Sequence, residues 1–80
     1  MIGEWISIGN ALLDQGKYNE AIEYFEKVLE IDPNYIDAWN NKGSILGKQK
    51  VYNEAIKCFE RALEIDPNDK VVRNIIKGIS

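Results

Sequence analysis

The 80-residue chain has no histidine, one cysteine, one methionine and two prolines. Without histidine it lacks the side chain that most often serves as a general base or metal ligand near neutral pH. Its lone cysteine, Cys58, rules out an internal disulfide and fits a reducing, cytoplasmic setting. It also has no neighbouring base that would make it a nucleophile. No apolar run reaches the roughly 18–20 residues that span a bilayer. The opening MIGEWISIGN lacks the basic-then-apolar order of a secretory leader. Positive charge is not in excess. Ten Lys and Arg stand against 13 Asp and Glu, for a net charge of −3 with the signs interleaved. Phosphate and anionic lipid surfaces require clustered cations, so neither nucleic acid nor a membrane is expected as a partner. There is no phosphate-binding loop and no metal-ligand cluster. The sequence therefore argues against an enzyme and implies no cofactor.

Eighty residues are enough for one domain, 1–80, close to the lower size at which a single core suffices. What the chain does contain is a repetition. EAIEYFEKVLEIDPN ends at residue 34 and EAIKCFERALEIDPN ends at residue 68. These strings differ only at Glu23/Lys57, Tyr24/Cys58, Lys27/Arg61 and Val28/Ala62. Shifted by 34 residues, the chain is identical to itself at 18 of 34 positions, among them Trp5/Trp39, Gly9/Gly43 and Leu12/Leu46. The first repeat runs 2–35 and the second 36–69.

Each repeat reads as two helices. Ile2, Trp5, Ile8 and Leu12 recur at helical spacing, and the pattern breaks at Gly16-Lys17. A second stripe follows in Ala21, Ile22, Phe25, Val28 and Leu29, with Asn19 expected to cap its start. Asp32-Pro33 ends it, because a residue before proline avoids the helical region. Asn34, or alternatively Asp32, is expected to cap the next helix. The second repeat follows the same plan. A third copy begins after Asn68 and stops. Its Val71, Val72, Ile75, Ile76 and Ile79 cover one arc of about 140°, while Arg73 and Lys77 take the tryptophan and glycine slots. This predicts a capping helix over 70–80, with one face packed and the other in water. The expectation is an all-α fold of five helices, stacked as antiparallel helix-turn-helix repeats. Trp5, Ile8, Gly9 and Leu12 are expected to face inward. Trp5, Tyr18, Phe25, Trp39, Tyr52 and Phe59 should fill the space between helix pairs, each buried aromatic contributing about 2–3 kcal/mol. The glutamates and lysines of the second helices form a solvated outer face, with Glu23 and Lys27 at the favourable i,i+4 spacing.

The spacing W-x2-I-G-x2-L…A-x3-F…P from Trp5 to Pro33 resembles the tetratricopeptide repeat, a 34-residue helix-turn-helix unit. Trp39, Gly43, Leu46, Ala55, Phe59 and Pro67 match it again, with Lys42 departing from the branched apolar slot that Ile8 occupies. The resemblance implies a short right-handed α-solenoid with a concave face lined by the first helix of each pair, on which an extended peptide or partner segment binds. The positions that fall there are Ile6, Ser7, Asn10 and Leu13, then Asp37, Asn40, Asn41, Ser44 and Lys48, then Asn74 and Ile75. Partner-binding residues are accordingly expected among Ile6, Asn10, Leu13, Asn40, Asn41, Ser44, Lys48 and Asn74. The asparagines carry both a donor and an acceptor and can bond a peptide backbone whatever its side chains.

Two other readings remain open. One is structural self-assembly, a homodimer through open solenoid ends, with or without helix exchange. The other is a chaperone adaptor. Some members of the family grip a C-terminal carboxylate through Lys, Asn, Asn, Lys and Arg. Asn10 and Asn41 fall on the two asparagines of that clamp, but Ile6, Val71 and Ile75 fall on its cations. A carboxylate site without cations lacks the charge-assisted bonds that make it strong.

Overall fold

A computed structural model describes residues 1–68 together with Asn74, Lys77 and Gly78. Helix α1 spans Ile2–Asp14, α2 Tyr18–Ile31, α3 Ile36–Lys48 and α4 Tyr52–Ile65. α1 packs on α2 and α3 on α4, and α2 joins the pairs by packing on α3. The architecture is the expected all-α stack of helix-turn-helix repeats. The helix count is corrected to four among the described residues, where the sequence predicts five. The predicted capping helix, 70–80, lies outside the described residues except at Asn74, Lys77 and Gly78. Its prediction rests on a single apolar stripe, without the tryptophan and glycine that identify both full repeats.

The turns inside each pair require a left-handed residue. Gly16 has φ 76°, and Lys50, its counterpart, has φ 65°. Glycine enters this region freely, but a residue with a Cβ is strained there. The predicted caps fall elsewhere. α2 begins at Tyr18 after Lys17, with no side-chain cap. Asn19 lies inside the first turn, where its Oδ1 accepts a hydrogen bond from Gln49 Nε2 at 2.9 Å. α3 begins after Tyr35, not after Asn34. The Asn34 backbone N–H donates to Asp32 Oδ1 at 3.1 Å, and Asn68 donates to Asp66 Oδ1 at 3.2 Å. In each DPN triplet the aspartate therefore forms an Asx turn that leads the chain out of the second helix. The Pro33 carbonyl is left free to accept the indole N–H of Trp39 at 2.8 Å.

The core has two clusters. Ala21, Phe25, Val28, Ala38 and Ile45 form the first, and Leu46, Ala55, Cys58, Phe59 and Ala62 the second. Ile22 packs against both. α3 therefore faces two ways, with Ala38 and Ile45 turned back to the first repeat and Leu46 kept in its own. The corresponding residues of α1 are Glu4 and Ala11, and both are exposed. Phe25 and Phe59 are fully buried, as expected. Trp5, Tyr18 and Trp39 are only partly buried, and Tyr52 is exposed. Ile8 is 41% exposed rather than inward-facing. Its slot lies at the edge of the helix pair, which is why the second repeat tolerates Lys42 there.

Candidate functional site

At about 100° per residue, Ile6, Asn10 and Leu13 fall within an arc of about 60° on α1. By the same rule Asp37, Asn40, Asn41, Ser44 and Lys48 fall within about 100° on α3. A direct bond joins the two stripes, with Asn41 Nδ2 donating to Asn10 Oδ1 at 3.1 Å. The pairing leaves Asn10 Nδ2 as a donor and Asn41 Oδ1 as an acceptor, side by side across the boundary between repeats.

The other candidate residues divide by burial. Ile6 and Leu13 are half-buried, because each also packs against the first core cluster. Asn40 and Ser44 are half-buried, while Lys48 and Asn74 are exposed. Asn40 Oδ1 is buried and has no hydrogen-bond partner among the described residues. A buried acceptor left unpaired costs about 1–3 kcal/mol. Of the clamp cation positions, Ile6 is apolar, and Val71 and Ile75 lie outside the described residues.

Contacts that sequence reasoning missed lie on the opposite side of the helices. The Lys27 ammonium does not pair with Glu23. It stands 5.9 Å from the ring centre of Trp5 and 5.4 Å from that of Tyr24. Lys42 stands 5.8 Å from the ring centre of Trp39. Arg61 makes an ion pair with Glu64 at 2.7 Å. The recurrence of a cation at Lys27 and Arg61 in the repeat register was the available signal. Cys58 is 4% exposed, in keeping with a small apolar residue. Burial pushes its thiol above the ordinary range, Lys42 opposes this, and Glu54 and Glu26 reinforce it. Among the described residues no helix is long and apolar enough to cross a membrane, and no group of acidic or cysteine side chains could hold a metal ion.

Comparison with known proteins places the fold. The chain is similar over 98% of its length, and over 89% of the other's, to a solved structure of the first TPR of Spaghetti (RPAP3) bound to the HSP90 peptide SRMEEVD. The two share 21% sequence identity with a TM-score of 0.64, a likeness of fold. No match was found among curated proteins. The tetratricopeptide repeat profile matches residues 4–35 and again 36–69. With both full repeats matched, the chain belongs to the tetratricopeptide repeat family.

Proposed function

We propose that this chain is a protein-interaction module that binds an extended peptide along the amide-lined face of α1 and α3. The carrying observation is the Asn41–Asn10 bond, which fixes one free donor and one free acceptor next to each other. A peptide group offers the complementary pair, an N–H and a C=O. Ile6 and Leu13 offer partial apolar footholds at one end, and Lys48 a single cation at the other. A fold relative has been solved with an acidic peptide bound. Here the face is poor in cations, so the reading favours an internal segment recognised through its backbone over a terminal carboxylate.

The test begins with selection of a binding peptide from a display library, followed by fluorescence anisotropy. Asn10→Ala and Asn41→Ala are each expected to weaken binding about tenfold, the equivalent of one hydrogen bond to a partly buried group, with helical circular dichroism unchanged. Amidating the peptide's C-terminus should leave the affinity unaltered. Full affinity in both variants would sink the amide reading, and loss on amidation would restore a carboxylate site.

A further inference from the structure

α3 has a second face that the amide site does not use. At about 100° per residue, Trp39, Lys42 and Leu46 point roughly opposite to Ser44 and Lys48. There they floor an open cavity of about 630 Å³ whose far wall, on α4, includes Cys58 and Arg61. On the other side of Trp39 and Lys42 lies a separate, smaller hollow of about 200 Å³ edged by Glu26 and Glu30 of α2.

The first repeat shows what suits such a place. Register pairs Trp5 with Trp39, Lys27 with Arg61 and Tyr24 with Cys58. In the first repeat the Lys27 ammonium lies over both Tyr24 and Trp5, so two rings and a cation close one patch. In the second repeat the tryptophan remains, Arg61 stands in the place of Lys27 but pairs with Glu64, and Lys42, where the first repeat has Ile8, lies over Trp39; a cysteine replaces the tyrosine. The substitution removes an aromatic ring from beside a tryptophan that still has a cation over it.

We propose that this cavity is a second binding site, which takes an aromatic side chain from a partner polypeptide into the space that Tyr24 fills in the first repeat. The ring stacks beside Trp39, and Lys42, already over Trp39, offers its charge to the incoming face. The carboxylates of Glu26 and Glu30 select a basic residue next to that ring. The site stands independently of the amide face, since the two share no residue.

The probe is N-acetyl-Tyr-Lys-amide, titrated into nitrogen-15-labelled protein, with N-acetyl-Leu-Lys-amide as control. The Trp39 indole N–H, held by the Pro33 carbonyl, is the reporter, and the Trp5 indole is the internal reference. The expected result is a saturable shift at Trp39 and at the Cys58 amide, with Trp5 unmoved and the leucine probe at least about tenfold weaker. Cys58→Tyr refills the cavity and removes the response. Cys58→Ser leaves it open and retains the response. A shift that never saturates, an equal response at Trp5, or undiminished binding by folded Cys58→Tyr overturns the proposal. If Cys58→Tyr does not fold, alkylation of Cys58 in the unaltered protein decides. Slowing by the tyrosine probe alone supports the site, and equal rates with both probes overturn it.

Discussion

A Cβ on Gly9 would come within 2.8 Å of the Phe25 ring, and one on Gly43 within 2.9 Å of Phe59. The glycine and the phenylalanine of each pair are two halves of one contact, in which the ring lies flush against bare helix backbone. Alanine gains about 1 kcal/mol over glycine in a helix interior, but overpacking a fixed core costs about 1–3 kcal/mol. Both phenylalanines are buried and cannot retreat. Gly9→Ala and Gly43→Ala are therefore expected to lower stability in urea melts. Gly47→Ala, where an added Cβ meets nothing within 4 Å, is expected to raise it by up to about 1 kcal/mol.

The turn between α3 and α4 holds a stability gain of its own. Lys50 carries φ 65° where the first repeat has Gly16 at 76°. An L-residue in this region is strained by about 1–2 kcal/mol. Part of that is offset because glycine also loosens the unfolded chain. Lys50→Gly should stabilise the protein by about 0.5–1 kcal/mol, and Gly16→Lys should destabilise it by a similar amount. An unchanged urea midpoint in both variants would show that the turn carries no strain.

The repeat period, the buried phenylalanines, the close-packed glycines and the DPN helix exits were all legible in the sequence, because each residue does the same job in both copies. Features that differ between copies were not. Ala38 and Ile45 make the contact between repeats, yet their counterparts Glu4 and Ala11 face water. Aligning the repeats for identity passes over such pairs, although a change from charged or small to buried apolar is the signal of an interface. Ile8 looked like core because it continued an apolar stripe, and the lysine in the same slot of the second copy was the better guide. The helix starts were misplaced for a related reason. Asn19 has the chemistry of a cap, but Gln49 claims its oxygen. Of the candidate site, the stripe was legible from helical periodicity. The Asn10–Asn41 bond was not, because it depends on how closely α1 and α3 approach.

Cys58 gives a pH signature with a definite sign. Burial raises its thiol above the ordinary value of 9.0. Below that value the folded and unfolded chains both hold the proton, and the stabilising effect of burying a neutral thiol is complete. As pH rises past it the unfolded chain ionises first, so stability falls through and beyond that range. The stability of the unaltered protein minus that of Cys58→Ala should decline as pH passes from about 8 to 10. Iodoacetamide should modify the native thiol much more slowly than the thiol in urea, since only the exposed thiolate reacts.

The N-terminal end of the stack is controlled by two residues. In α3, Ala38 and Ile45 are fully buried against the preceding repeat. In α1, Glu4 and Ala11 occupy the same register and are exposed, so this helix presents a charge and a small side chain to solvent. A carboxylate there would have to be desolvated if another copy stacked on it, and an unpaired buried charge is strongly disfavoured. Glu4→Ala with Ala11→Ile turns this end into a copy of the internal interface and is expected to make the protein associate. Light scattering should show its mass rising with concentration beyond that of the unaltered chain. The converse substitution tests the same physics within one molecule. Ala38→Glu places a carboxylate in a fully buried slot and should destabilise the stack by about 3 kcal/mol or more. In a stack built on the contact between two repeats that is a large share of the whole stability. A well-folded Ala38→Glu protein would mean that the repeats do not depend on this contact, and the role assigned to Glu4 would fall with it.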